Sequence, residues 1–242
     1  MLRLFVDGPL AAGAELALPP GPTRHVQVRR LQPGEPVVVF DGRGGEWSAT
    51  LLRIARDVVH LRVDAHLAAD RELPLAVTLA VGMPANERMD ILVEKATELG
   101  VAALQPLHTE RSVLRLAGER AQRKREHWQA LAVAASEQCG RTRVPLVAPV
   151  QDLTAWLRGL DGAGKAGERA ARWLLSPAPE APRPVRPQAG GRLIVLSGPE
   201  GGLAAGEEAA ARDAGFEPCR LGPRILRAET APLAVMAWLS LS

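Results

Sequence analysis

The stretch RLIVLSGPEGGLAAGEEAAARDAG, Arg192 to Gly215, passes from an apolar segment through a turn carrying Gly198, Gly201 and Gly202 into a helix-like segment with Glu207, Glu208 and several alanines. A short apolar run bounded by glycine and proline reads as a buried strand, so this is a strand-to-helix turn. In open α/β sheets, ligands settle at such turns, beyond the carboxyl ends of the strands. Farther on, LGPRILRAETA, Leu221 to Ala231, is a second loop of the same character. Loops that fix glycines, prolines and particular polar residues give up conformational freedom, which points to something they shape themselves around. The glycine spacing is not GxGxxG, and no Lys followed by Ser or Thr closes a phosphate-cradling P-loop, so an ATPase reading loses its support.

Outward from that turn the chain alternates. Strands are expected at Leu75–Val81, Val101–Leu107, Ala171–Leu175 and Arg192–Leu196, and helices at Glu87–Leu99 and Glu119–Cys139. In the first helix Met89, Leu92, Val93, Ala96 and Leu99 share one face and Gly100 can end it; in the second, Trp128, Leu131, Ala135 and Cys139 form the stripe. Strands alternating with helices imply a mostly parallel sheet. Through about Arg71 the pattern differs: Leu2–Val6, Pro36–Phe40, Trp47–Ile54 and Val58–Val63 are short apolar runs with no long helical period, which predicts a small β domain. The proline-rich run Ser176–Gly191 reads as an exposed loop inside the second domain. Thr230–Leu239 is apolar on nearly every side, so the helix it predicts, with Thr230 as its N-cap, must be covered all round, by its own core or by a second copy.

Composition bounds the possibilities. At 242 residues the chain holds one or two domains. No run approaches the roughly 18 apolar residues of a membrane span, and no signal-peptide pattern opens it, so a soluble cytoplasmic protein without membrane contact is expected. Cys139 and Cys219 read as small core residues, and the five histidines have no metal-ligand spacing, so no metal is expected. The formal net charge is only +3, but Arg111, Arg115, Arg120, Arg123, Lys124, Arg125, Arg141 and Arg143 stand against just Glu119, Glu126 and Glu137 between Arg111 and Arg143. Clustered cations attract a phosphate backbone, although Arg120–Arg125 reads equally well as a solvated helix face.

SGPEGG and LGPRILRAET, in order with ERMDILVEKATELG (Glu87–Gly100), TERS (Thr109–Ser112), EQCGRTRVP (Glu137–Pro145), RLFVD (Arg3–Asp7), HVQVRRL (His25–Leu31) and FDGRGGEW (Phe40–Trp47), resemble the RsmE branch of the trefoil-knotted SPOUT methyltransferases. That branch methylates N3 of a uridine in 16S ribosomal RNA. The resemblance implies a PUA-like RNA-binding β-barrel over residues 1–71 and a SPOUT α/β domain over 72–242, with a mostly parallel sheet and a deep trefoil knot. It implies a homodimer, S-adenosyl-L-methionine as cofactor, and 16S rRNA or the small ribosomal subunit as partner. One cofactor wall would be Leu196, Ser197, Gly198, Pro199, Glu200 and Gly201; another Leu221, Gly222, Ile225, Leu226 and Arg227; a third would lie near Leu174–Pro177. RNA would meet Arg3, Arg24, His25, Arg30, Arg111, Arg141 and Arg143.

Uracil N3 carries a proton and a delocalised lone pair, so methylation there needs a base, a stabilising cation, or both. Arg227 and Glu229 are the candidates for stabilising the uracil oxygens and organising the site, and Glu200 is a further carboxylate able to accept a proton. A structural alternative pairs Glu229, at a helix N-terminus, with Arg227. Where the family usually has Lys-Gly-Asp-Arg, this chain has Ala85-Asn86-Glu87-Arg88, so one cation is missing. Three other readings stay open on sequence: a SPOUT enzyme with another RNA target, a non-catalytic RNA-binding protein, and a dinucleotide enzyme disfavoured by the missing GxGxxG.

Overall fold

The chain enters its first sheet at once, through β1 (Arg3–Phe5) and β2 (Glu15–Ala17), before a helix α1 (Pro20–Val28) and the longer strands β3 (Pro36–Phe40), β4 (Glu46–Ile54) and β5 (Val59–Leu67). The computed structural model describes residues 1–85, 87–160 and 170–241, which group into one unit of residues 1–72 with 133–144 and another of 73–132 with 145–242. Asn86, in the departure from the family pattern, lies outside the described residues.

In the first unit the sheet order is β1-β3-β4-β5-β2, parallel between β1 and β3 and antiparallel elsewhere. Alternation along β3, β4 and β5 sends Val37, Val39, Leu51, Leu61 and Val63 into a core with Leu4 and Val26. The sequence reading missed α1. It has nine residues, buries only Thr23 and Val26, and starts at Pro20, where the missing N–H costs nothing, so no period could register.

This unit also corrects two candidate RNA contacts. Arg3 pairs with Glu46, donates to the Arg141 carbonyl at 2.9 Å and lies 4.9 Å from the Phe40 ring centroid. Arg141 is buried and pairs with Glu72, its Nε donating at 3.0 Å. Buried guanidinium groups persist only when paired, so both serve the unit's interior. Burial pushes the Glu46 carboxyl up, but hydrogen bonds from Arg71 and Arg3 outweigh it and hold the group below the ordinary carboxylate range. Arg24, Arg30 and Arg143 are exposed. His25, also exposed, has Nδ1 3.4 Å from Glu137, a carboxyl pushed up by burial although Phe5 N–H donates to it.

The second unit comprises β6 (Ala76–Gly82), α2 (Glu87–Glu98), β7 (Ala103–His108), most of α3 (Gly118–Cys139), β8 (Leu146–Val147), β9 (Gln151–Asp152), α4 (Leu153–Leu160), β10 (Ala171–Leu175), β11 (Arg192–Ser197), α5 (Ala205–Asp213), β12 (Glu217–Cys219) and α6 (Thr230–Ser240). Its strands are parallel in the order β12-β10-β11-β6-β7-β8, with β9 also on β7. α4 was missed, yet it had a signal: Asp152 precedes the apolar pattern and its carboxylate accepts the Thr154 and Ala155 N–H groups at 2.9 and 3.2 Å. Cys219 is buried, whereas Cys139 is only half-buried.

One further expectation is qualified and another corrected. The Ser176–Gly191 loop has no helix or strand but is not simply solvated: Ala181 is buried, the Pro182 carbonyl accepts Arg220 N–H at 2.8 Å, and Arg186 donates to the Leu239 carbonyl. Thr230 is the first helical residue of α6, and Glu229 occupies the cap position without a side-chain capping bond. α6 buries Pro232, Val235, Met236 and Leu239, while Trp238 stays 41% exposed.

α2 and α3 are tied through Asp90, which lies 2.8 Å from His127 Nε2 and also meets Trp128. Trp128 is fully buried and its Nε1–H donates to Asp90 Oδ1 at 2.9 Å. Trp128→Phe removes the donor and part of the packed volume, so urea unfolding should show a loss of about 1–3 kcal/mol.

Candidate active site

Parallel strands end on the same side of their sheet, and β12, β10 and β11 are neighbours, so the segments that follow them emerge side by side. They enclose a cavity of about 630 Å³, within the range of cofactor and small-molecule sites. Leu175, Ser176 and Pro177 form one wall, Ser197 through Leu203 the second, and Cys219 through Gly222 with Arg224 through Ala228 the third; Arg88, Arg111, Glu208 and Ala231 complete the lining. The geometry thus brings together Ser197, Gly198, Pro199, Glu200 and Gly201 with Leu221, Gly222, Ile225, Leu226 and Arg227. Leu196 is not among them: it is fully buried within β11, between Leu174 of β10 and Ala80 of β6, because a central strand spends its side chains on the core. Glu229 does not line the cavity either.

Glycine is needed here for two different reasons. A Cβ on Gly198 would come within 2.9 Å of the Gly202 carbonyl carbon and the Leu203 nitrogen, so the loop closes on itself too tightly for any side chain. Gly202 instead has φ +69°, while its N–H donates to the Pro199 carbonyl at 2.8 Å to complete the turn.

The rim is cationic, with Arg88, Arg111, Arg220, Arg224 and Arg227 against Glu200 and Glu208. Arg111, expected at RNA, donates from Nη1 to the Gly201 carbonyl at 3.0 Å. It is seated by the TERS turn, in which Thr109 and Ser112 are buried and share a 2.8 Å hydroxyl bond. Arg227 is exposed and makes no ion pair among the described residues; its carbonyl accepts the Thr230 and Ala231 N–H groups. The alternative Arg227–Glu229 pair is therefore not formed, and Glu229 keeps one buried oxygen, Oε2, without a hydrogen-bond partner. Inside the cavity, Ser197 is 3% exposed and its Oγ is likewise unpartnered. Burial pushes the Cys219 thiol up to about 11, so it lines the wall as a neutral group.

Comparison with known proteins adds the family. Residues 71–240 match the model of an RNA methyltransferase domain, and residues 23–64 that of an RNA methyltransferase PUA domain. Over 226 residues, 89% of this chain and 85% of the relative, the sequence is 34% identical to the ribosomal RNA small subunit methyltransferase E of Bacillus subtilis. The chain belongs to the ribosomal RNA small subunit methyltransferase E family.

Two solved structures share the whole fold. The ribosomal RNA small subunit methyltransferase E of Neisseria gonorrhoeae, bound to S-adenosyl methionine, superposes with a TM-score of 0.89 at 33% identity, over 99% of this chain and 96% of that one. A methyltransferase of Legionella pneumophila with bound SAM gives 0.88 at 33% identity, over 98% and 96%. The fold is the family's: a PUA-like N-terminal part and a SPOUT α/β part with a parallel sheet.

Sequence reasoning overlooked Arg88, Gly202, Leu203, Glu208, Cys219, Arg220, Arg224, Ala228 and Ala231 as lining residues. Arg88 had a signal, since it stands in the quoted ERMD motif and matches the arginine of the family pattern. Arg224 stands inside the quoted LGPR stretch, and Arg220 had only its place just before it.

Proposed function

We propose that this chain transfers the methyl group of S-adenosyl-L-methionine to N3 of a uridine in 16S ribosomal RNA. The observation that carries the reading is the three-walled cavity of about 630 Å³ at the ends of β10, β11 and β12, in a chain whose solved relatives at 33% identity hold that cofactor. The residues present fit it. Leu221, Ile225 and Leu226 offer apolar surface to an adenine face, the open backbone at Gly202 and Gly222 allows close approach, and the unpartnered Ser197 Oγ is available to a polar group. When bound, the cofactor supplies an activated methyl on a sulfonium.

Everything else falls to the protein. Holding N3 in line with that methyl turns an encounter into an oriented reaction. The unpaired Arg227 guanidinium stabilises negative charge on the uracil oxygens as N3 loses its proton. Glu229 sits at the N-terminus of α6, where the helix dipole favours a carboxylate, and organises the junction between the Leu221–Ala228 loop and the helix. The base reaches the cavity by leaving its stack, while the exposed Arg24, His25, Arg30 and Arg143 contact the surrounding RNA. The same reading includes the trefoil threading, a cytoplasmic location and a homodimer, with the exposed Trp238 and Leu241 of the α6 end as subunit contacts.

The test is methyl transfer from labelled cofactor to small ribosomal subunits that lack the modification, followed by mass mapping. Label at a single uridine N3 is expected. Label at another nucleotide would mean a different RNA target, and a protein that takes up RNA but no cofactor would be a non-catalytic binder.

A further inference from the structure

Glu200 projects from the middle of the Ser197–Gly202 turn, on the cavity wall, and its carboxylate is already engaged. Oε1 accepts the backbone N–H of Ala85, between β6 and α2, at 3.0 Å and Nη1–H of Arg88, in the first turn of α2, at 2.9 Å. Beside this tie the turn rests on β6 itself: a Cβ at Gly82 would lie 2.6 Å from Pro199 Cδ and 2.8 Å from its nitrogen. The opposite flank is held by Arg111 on the Gly201 carbonyl. Where the chain resumes, Glu207 bridges the Ala204 and Glu110 N–H groups at 2.9 and 2.7 Å. A glycine-rich turn has little stiffness of its own, so these outside ties set its shape.

We propose that Glu200 is a positioning residue: with Arg88 it braces the Gly198–Gly202 backbone in the form that receives the cofactor, and it does not take the N3 proton. This rests on the function proposed above and gives that site a division of labour. A general base works best with a pKa near the operating pH. Burial pushes Glu200 up, but the Ala85 and Glu200 backbone N–H groups and the Arg88 guanidinium outweigh it, leaving the carboxyl below its ordinary range and a weak base. Arg88 also supplies a cation beside the turn in a chain that lacks the family lysine in the Ala85–Arg88 segment.

Three variants test this: Glu200→Ala, Arg88→Ala and Glu200→Gln, each measured for cofactor binding by calorimetry, for KM and kcat of methyl transfer, and for thermal unfolding. Loss of a charge-assisted tie should weaken cofactor binding and raise its KM about tenfold in both alanine variants, while kcat at saturating cofactor changes less than about threefold. The glutamine amide oxygen can still accept from both donors, so Glu200→Gln should fall between wild type and alanine in KM, with most of kcat kept. If Glu200→Gln instead loses kcat about a hundredfold with KM unmoved, Glu200 is the proton acceptor and the proposal is wrong. Cofactor binding by Arg88→Ala and a folded Glu200→Ala at wild-type strength would equally overturn it. A wild-type protein that binds no cofactor would remove the methyltransferase reading instead.

Discussion

Arg227→Ala is expected to slow methyl transfer about a hundred- to a thousandfold in single-turnover assays, while the calorimetric affinity for S-adenosylmethionine changes far less. The expectation follows from what Arg227 does and does not touch. It lines the cavity, yet no ion pair among the described residues engages it, and its backbone carbonyl already anchors the start of α6 through the Thr230 and Ala231 N–H groups. Its backbone is therefore anchored while its guanidinium stays available to meet charge that develops on the uracil oxygens. Arg227→Lys keeps the charge but loses the planar fork, so it should recover only part of the rate. An alanine variant with an undiminished rate would move the stabilising role to Arg224 or Arg220, the other cations of the same loop that line the cavity.

The parallel sheet and the two glycine turns were legible in the sequence because their signals are local. Met89, Leu92, Val93 and Ala96 repeat at helical spacing and are all fully buried in α2. What escaped depends on geometry that no spacing encodes. Leu196 and Ser197 are neighbours in one motif, yet one closes the core and the other lines the cavity, because β11 ends at Ser197. Arg3 and Arg141 looked like phosphate contacts by motif and charge; only the fold reveals that Glu46 and Glu72, distant in sequence, absorb them. The tie between Glu200 and Arg88 joins residues 112 positions apart, so each read alone as a lone charge.

The two glycines of the SGPEGG turn should respond differently to the same substitution, and the difference tests whether the turn's shape or merely its φ angles matter. Gly198→Ala places a methyl 2.9 Å from two backbone atoms of Gly202 and Leu203, and backbone cannot rotate aside as a long side chain can. Nor can the turn slide away, since Leu203 leads directly into Ala204, whose N–H is held by Glu207 at 2.9 Å. Forced overpacking of this kind costs roughly 1–3 kcal/mol, and here it distorts the wall that receives the cofactor, so binding should weaken about ten- to a hundredfold, as measured by calorimetry. Gly202→Ala meets nothing within 4 Å and only imposes a left-handed φ of +69° on a side-chain-bearing residue, a strain of about 1–2 kcal/mol. That strain falls on the folded state with or without ligand, so it should appear chiefly as a lower unfolding midpoint with cofactor affinity nearly intact. If both variants bound equally well, the close approach at Gly198 would be a packing detail with no bearing on the pocket; if both lost binding equally, the φ angles rather than the cramped backbone would govern the site.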